Sequence, residues 1–264
     1  MRCGNPPVVT GPCSTPAQPV SLAAATDGQG VVLAVPYSSD ARQRTSAELL
    51  ARRVAHRLGC PVAVGQIQRG TLIADGSLRL LHDKGARRIV VAPAVLVAGE
   101  GLEPGPRTLA QGSALNLTFA VAQPIGGHPD VVSAALELLS RSERTPRADT
   151  AIRLVLPASD ACAAAALELH LGQITAAGWG AAEVELLHAT GEATFPCAGD
   201  AAAAAADGTA RRIVVAVTVL PGPFAARVVR AAETSGDDVI QQTLHASDAC
   251  TRLIATRVVE ARRR

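Results

Sequence analysis

A histidine stands in the turn Gly126-Gly127-His128-Pro129-Asp130, just ahead of a stretch with helical spacing. A neutral imidazole nitrogen is both a base near pH 7 and a metal ligand, so His128 is a candidate for either role, with a plain surface turn as the alternative. Carboxylates cluster in GEGLEPG, where Glu100 and Glu103 could accept protons or hold a hard divalent cation. Its glycines Gly99, Gly101 and Gly105 follow neither the dinucleotide fingerprint nor the phosphate-loop spacing, and the two glutamates would repel a phosphate. His188 and Glu192 offer the same pair of functions in the second half. Tyr37 is a poor base unless its surroundings lower a phenol pKa near 10. Ser38 and Ser159 read as helix caps, since no G-x-S-x-G elbow surrounds either. No HxH, HExxH or clustered His/Cys spacing suggests a closed zinc site.

These residues need a scaffold, and the apolar runs supply one. Val31 to Val35 predicts a short strand, ended by Pro36, with Ser38, Ser39 and Asp40 opening a helix over Arg42 to Leu58. A strand from Pro61 to Val64 follows, then a helix from Leu72 to Lys84, then the phrase ARRIVVA leading a strand to about Leu96. Asn116 to Ala122 predicts a fourth strand, and Asp130 opens a helix through Leu139.

The order then repeats. ARRIVVA recurs at Ala210 to Ala216, 124 positions after its first appearance at Ala86 to Ala92. A strand at Ile152 to Leu156, a helix at Ala161 to Ala177, a strand at Glu183 to Leu187 and an alanine-rich helix at Asp200 to Ala206 precede the second copy. A Pro221-Gly222-Pro223 turn, a short helix, an edge strand at Val239 to Gln242 and a closing helix through Arg262 follow it. Apolar runs without alternation, separated by helices, are the pattern of parallel sheets covered on both faces. The expectation is an α/β chain of two similar three-layer α/β/α domains, each with a short parallel four-stranded sheet. Residues 1–29 read as a flexible leader, 30–140 and 151–264 as the domains, and the polar stretch 141–150 as their linker. Ligands of such sheets bind beyond the carboxyl ends of the strands, which selects the loops 37–40, 65–70, 99–105 and 123–130 in the first half and 158–161, 188–192, 221–224 and 244–248 in the second, with Tyr37, His128, His188 and Phe224 among them.

Composition excludes several classes. A net charge of +2 and five aromatic residues give neither the field nor the stacking surfaces for nucleic acid. No apolar run approaches the length of a membrane span, and the proline-rich start lacks the apolar core of a secretory signal. Six scattered cysteines without paired spacing favour a reduced, cytoplasmic protein. Cys3 and Cys13 are a weak pair of metal ligands.

The phrases LAVPYSSDARQ, GARRIVVAPAVLVAGEG, PIGGHPDVVSAALELL and ARRIVVAVTVLPGPFAARVV together resemble the sirohydrochlorin chelatase family, in its long, internally duplicated form. That resemblance implies insertion of cobalt, nickel or iron into a tetrapyrrole, with metal and macrocycle as substrates. It also implies a cleft between two domains and a monomer or weak dimer. The family's first strand commonly ends in His-Gly-Ser; here Pro36, Tyr37 and Ser38 stand there, and Gly101 stands where a second histidine is expected. His128 matches the family's Gly-x-His-Pro turn. Proline and glycine can replace neither imidazole, so catalysis falls to His128 with Glu100 and Tyr37 as substitutes, His128 and Glu100 on the metal, and Glu103 and Asp40 as further carboxylates that could stand in. Macrocycle contacts fall to Ser38, Gly99, Glu103, His188 and Phe224. A non-catalytic descendant that binds a tetrapyrrole, a metal or a partner is the alternative, and an unrelated duplicated α/β protein is the third reading.

Overall fold

Apolar runs with no polar alternation become the buried strands of two sheets. The computed structural model describes residues 28–69, 71–96, 103–126, 128–141, 150–157, 183–189 and 211–263. The first sheet has the order β5-β3-β2-β1-β4-β6, built from β1 (Gln29–Pro36), β2 (Val62–Gln68), β3 (Thr71–Ile73), β4 (Arg88–Pro93), β5 (Glu103–Pro104) and β6 (Thr118–Val121). The second has the order β10-β9-β7-β8, from β7 (Thr150–Pro157), β8 (Glu183–Ala189), β9 (Arg211–Ala216) and β10 (Asp238–Ile240). All pairings are parallel except β2 with β3.

The expected four-stranded unit is present in both halves, as β2-β1-β4-β6 and as β8-β7-β9-β10. The first sheet departs from expectation by carrying six strands. Thr71 to Ile73, expected as the start of a helix, folds back on β2 as an antiparallel strand, and Glu103–Pro104 pairs beside it. The physical cause is local: Arg69 turns the chain with φ 51°, and the β-branched Thr71 and Ile73 flank a fully buried Leu72. The helix begins only at Asp75.

Helix α1 (Ala41–Leu58) starts as the sequence predicts. Asp40 caps it by accepting the Arg42 N–H at 2.8 Å, while Ser38 Oγ accepts the Asp40 N–H at 3.0 Å. Gly59 ends it at φ 64°, its N–H reaching the Ala55 carbonyl. Helices α2 (Asp75–Asp83), α3 (Pro106–Ala114), α4 (Asp130–Arg141), α5 (Pro223–Thr234) and α6 (Asp248–Arg262), with a short 3-10 turn at Leu244–Ala246, complete the described elements. The expected helices at 161–177 and 200–206 and most of the linker lie outside the described residues.

One apolar cluster takes Val31, Leu33 and Val35 of β1, Ile152, Leu154 and Leu156 of β7, and the buried faces of α1, α4 and α6. These three helices thus lie between the inner faces of both sheets, shared by the two halves. α2 covers the outer face of the first sheet and α5 that of the second.

Within this symmetry the two ARRIVVA copies are not equivalent. Aligning Pro36 with Pro157 makes Val31 match Ile152; Val31 pairs with Val90, but Ile152 pairs with Ile213. The repeated phrase has slipped by one residue, and a slip of one moves every side chain to the other face. Ile89 and Val91 face α2, whereas Ile213 and Val215 face the shared helices. Arg212 takes the structural place of Ile89. Where Ile89 pairs with Phe119, Arg212 is buried in an ion pair with Asp237 at 2.8 Å.

Candidate functional site

The carboxyl ends of β1, β4 and β9 meet between the halves, and among the described residues two cavities open there, with a third beside them in the first half. The middle one, about 510 Å³, runs from Pro36 and Ala94 to Leu96 on one wall to Thr218 to Ala225 on the other. Its walls are apolar apart from Gln43 and Thr218, and the Thr218 hydroxyl is already donated to the Leu220 carbonyl at 3.0 Å. A polar cavity of about 400 Å³ lies on one side, carrying Ser38, Arg44, Glu48, Gln66 and Asp75; it shares Pro36 and Gln43 with the cleft. The second cavity between the halves, of about 470 Å³, carries Asp40, Arg42, Arg230 and Gln241 and shares Pro221, Gly222 and Ala225. An apolar chamber with charged flanks is the result.

The expected site residues distribute unevenly around it. Phe224 lines the apolar cleft and Ser38 the first polar cavity, with its hydroxyl engaged at the α1 cap. Tyr37 is 56% exposed and lines none of the three cavities; its N–H continues the sheet by donating to the Ile67 carbonyl at 2.9 Å. His128 also stands outside the three linings. Its Nδ1 accepts the Asp130 N–H at 3.2 Å, and the Asp130 carboxylate lies 3.7 Å away. That acceptor role fits a ring whose other nitrogen carries the hydrogen. The turn before it is tied to the cleft, because the Gly126 N–H donates to the carbonyl of Leu96 at 2.8 Å. Gly126 is needed there, since a Cβ would collide with that carbonyl.

The remaining candidates are placed only in part. The backbone of Glu103 belongs to β5, paired with Thr71, and His188 is the last residue but one of β8, opposite Leu156. Gly99, Glu100, Gly101, Ser159 and Glu192 lie outside the described residues, as do Cys3, Cys13, Cys162 and Cys197. Among the described residues no three His, Cys, Asp or Glu side chains gather as a metal site. Burial pushes the Cys250 thiol up to about 12, and it raises Cys60 as well, against the opposing Arg262 guanidinium. Neither supplies a ready thiolate.

Sequence reasoning did not single out Gln43, the polar residue common to the cleft and the first cavity. It is 5% exposed, and its Nε2 donates to the Pro36 carbonyl at 2.8 Å. A signal was available: Asp40-Ala41-Arg42-Gln43 has the spacing of a capping box, in which Gln43 would reach back to the Asp40 N–H. Ser38 holds that N–H instead, and the glutamine is left to turn toward the strand end.

A clamp fixes the two halves across the shared helices. The Glu137 carboxylate of α4 accepts the Asp248 and Ala249 N–H groups at the start of α6, each at 3.0 Å. Arg53 of α1 donates to the His245 carbonyl at 2.7 Å and pairs with Asp248, whose carboxyl it holds below the ordinary range. Arg141 adds a bond to the Ala246 carbonyl at 2.8 Å.

Residues 30–142 match the CbiX family. No curated protein matches the chain in sequence. Among solved structures, the sirohydrochlorin chelatase SirB of Bacillus subtilis subspecies spizizenii, in complex with cobalt, is similar at 14% identity and a TM-score of 0.62, over 88% of this chain and 94% of that one. SirB from Bacillus subtilis with Fe3+ gives 15% identity and a TM-score of 0.63, over 88% and 95%. A multi-domain protein of Deinococcus radiodurans, described as structurally similar to chelatases with two additional domains, gives 19% identity and a TM-score of 0.62. The match covers 89% of this chain but only 55% of that longer protein. The resemblance expected from the sequence is borne out on two counts, family over residues 30–142 and fold over most of the chain.

Proposed function

We propose, from the premise that this is a chelatase-like chain whose residues 30–142 match the CbiX family, that it binds a tetrapyrrole between its halves and presents it to a divalent metal. The cleft of about 510 Å³ carries this reading: both halves contribute its apolar walls, and charged cavities adjoin it on two sides. A flat macrocycle with apolar faces and a polar rim needs a chamber of that character. Residues 30–140 and 151–264 act in this reading as two domains closing on one ligand, in a cytoplasmic chain that is a monomer or weak dimer. The free, buried Cys60 and Cys250 support the reducing setting.

Insertion removes two pyrrole protons and holds the metal while it enters. In this reading the base and ligand roles belong to Glu100 and His128, with Tyr37 at the rim. Ser38, Gly99, Glu103, His188 and Phe224 contact the macrocycle. Cobalt or iron is the metal substrate, with nickel a further option. Binding without insertion is the second reading, and one observation favours it: Pro36, which has neither a base nor a ligand atom in its side chain, occupies the cleft wall where the family commonly has histidine.

Absorbance titration with a free-base porphyrin, followed by cobalt or ferrous iron, tests both. A spectral shift that saturates is expected, and insertion faster than the spontaneous rate identifies the chelatase. Glu100→Ala and His128→Ala should then each slow insertion by about tenfold or more. A rate indistinguishable from the spontaneous one leaves the binding protein, and no spectral shift rejects both readings.

A further inference from the structure

Gln43 is a buried polar side chain on an otherwise apolar wall, and half of its amide is spoken for. Nε2 is held by the Pro36 carbonyl, which fixes the side chain and leaves Oε1 without a hydrogen bond among the described residues. That oxygen faces the other half: a Cβ built on Gly222 would lie 3.3 Å from it, with no other atom within 4 Å. Gly222 is fully extended, at φ 177° and ψ −173°, so its backbone does not require glycine. The missing side chain instead keeps the space opposite Gln43 open. Gly222, Gln43 and Pro36 all line the same cleft. A fixed, unpaired acceptor beside an open gap is a recognition element for a ligand that donates.

We propose that Gln43 is the specificity-determining residue of the cleft, its Oε1 accepting a hydrogen bond from an N–H of the bound ligand. The inference rests on the tetrapyrrole reading and sharpens it. A free-base macrocycle carries inner N–H groups, which tilt toward an acceptor above the ring when the ring saddles, and a metal-loaded one has lost them. Gln43 therefore favours the unmetallated ring and releases the metallated one. Covering that oxygen with a ring that offers no donor strips it of water and adds to the discrimination.

The test uses the full chain, a water-soluble carboxylated free-base porphyrin and its four-coordinate nickel(II) complex, each titrated by absorbance or by quenching of Trp179. The free base is expected to bind about fivefold or more tightly, the ratio that one net hydrogen bond provides. Gln43→Leu and Gln43→Met, checked for an unchanged melting temperature, should bring the ratio to about one by weakening the free base alone. Equal wild-type affinities, tighter binding of the nickel form, or a preference that survives both substitutions would overturn the assignment while leaving the tetrapyrrole reading intact. Failure of both porphyrins to bind would remove the reading, and this inference with it.

Discussion

The same phrase supplies most of β4 in one half and all of β9 in the other, and the two copies do different work. In β4 the phrase ARRIVVA leaves both arginines near the strand's start, with Arg88 exposed, and turns Ile89 toward α2. In β9 the strand sits one residue further along: Ile213 enters the shared helical core, and Arg212 is drawn inside, where Asp237 neutralises it. A run with apolar groups on both faces tolerates such a slip, because either set of side chains can fill a core. The lesson is that sequence identity within a duplicated fold does not guarantee positional identity. The main-chain pattern preserves the duplication more faithfully. Ile125 and Gly126 donate to the carbonyls of Val95 and Leu96, just as Leu244 and His245 donate to those of Thr218 and Val219.

The largest difference between the copies should appear at the arginines. Asp237→Ala strands a buried guanidinium and is expected to cost about 3–5 kcal/mol, whereas Arg88→Ala should stay within about 0.5 kcal/mol in urea unfolding. Similar costs at the two sites would remove the slip. Next come the isoleucines, both essentially buried. Each substitution to alanine falls in the range of about 2–5 kcal/mol, with Ile213→Ala toward the upper end because its cavity opens in the core common to both sheets. The reverse order would contradict that shared core.

A smaller contrast separates the helix starts. α4 is served by its own His128 and α6 by Ser247, but α6 also takes the Glu137 carboxylate from the other half. Glu137→Gln should cost about 1–2 kcal/mol. The smallest effect concerns His245, where the first half has Gly126. Burial, then Arg53, lowers the His245 pKa below its ordinary 6.5. The unfolded chain therefore binds a proton more readily, and stability should fall as pH drops through about 6.5 toward the folded value. His245→Gln should flatten that part of the urea-midpoint profile; an unchanged slope would place the dependence elsewhere.

Much of the scaffold was legible in the amino-acid order. Continuous apolar runs located β1, β4, β7 and β9, and Ser38 with Asp40 marked the start of α1. The hairpin at Thr71 was not legible, because Leu78 and Leu81 carry helical spacing just beyond it and a three-residue strand leaves no periodic trace. The slip was hidden by the very identity that revealed the duplication. The place of the cleft was legible, at the strand ends between the halves. Its side chains were less so: Tyr37 and His128 have chemistry in their types, yet neither lines the cleft or its two neighbouring cavities, whereas Gln43 reads as a helix cap and instead faces the cleft. Which group turns inward depends on which backbone groups its neighbours have already satisfied.

The central claim is that one ligand lies between the two halves, and filling the cleft tests it most directly. Val95 lies in the wall and is only half-buried, so Val95→Trp can occupy the chamber without rebuilding the core. Porphyrin affinity measured by absorbance titration should fall by about tenfold or more while the melting temperature holds. An unchanged affinity in the filled variant would put the ligand elsewhere and contradict the account.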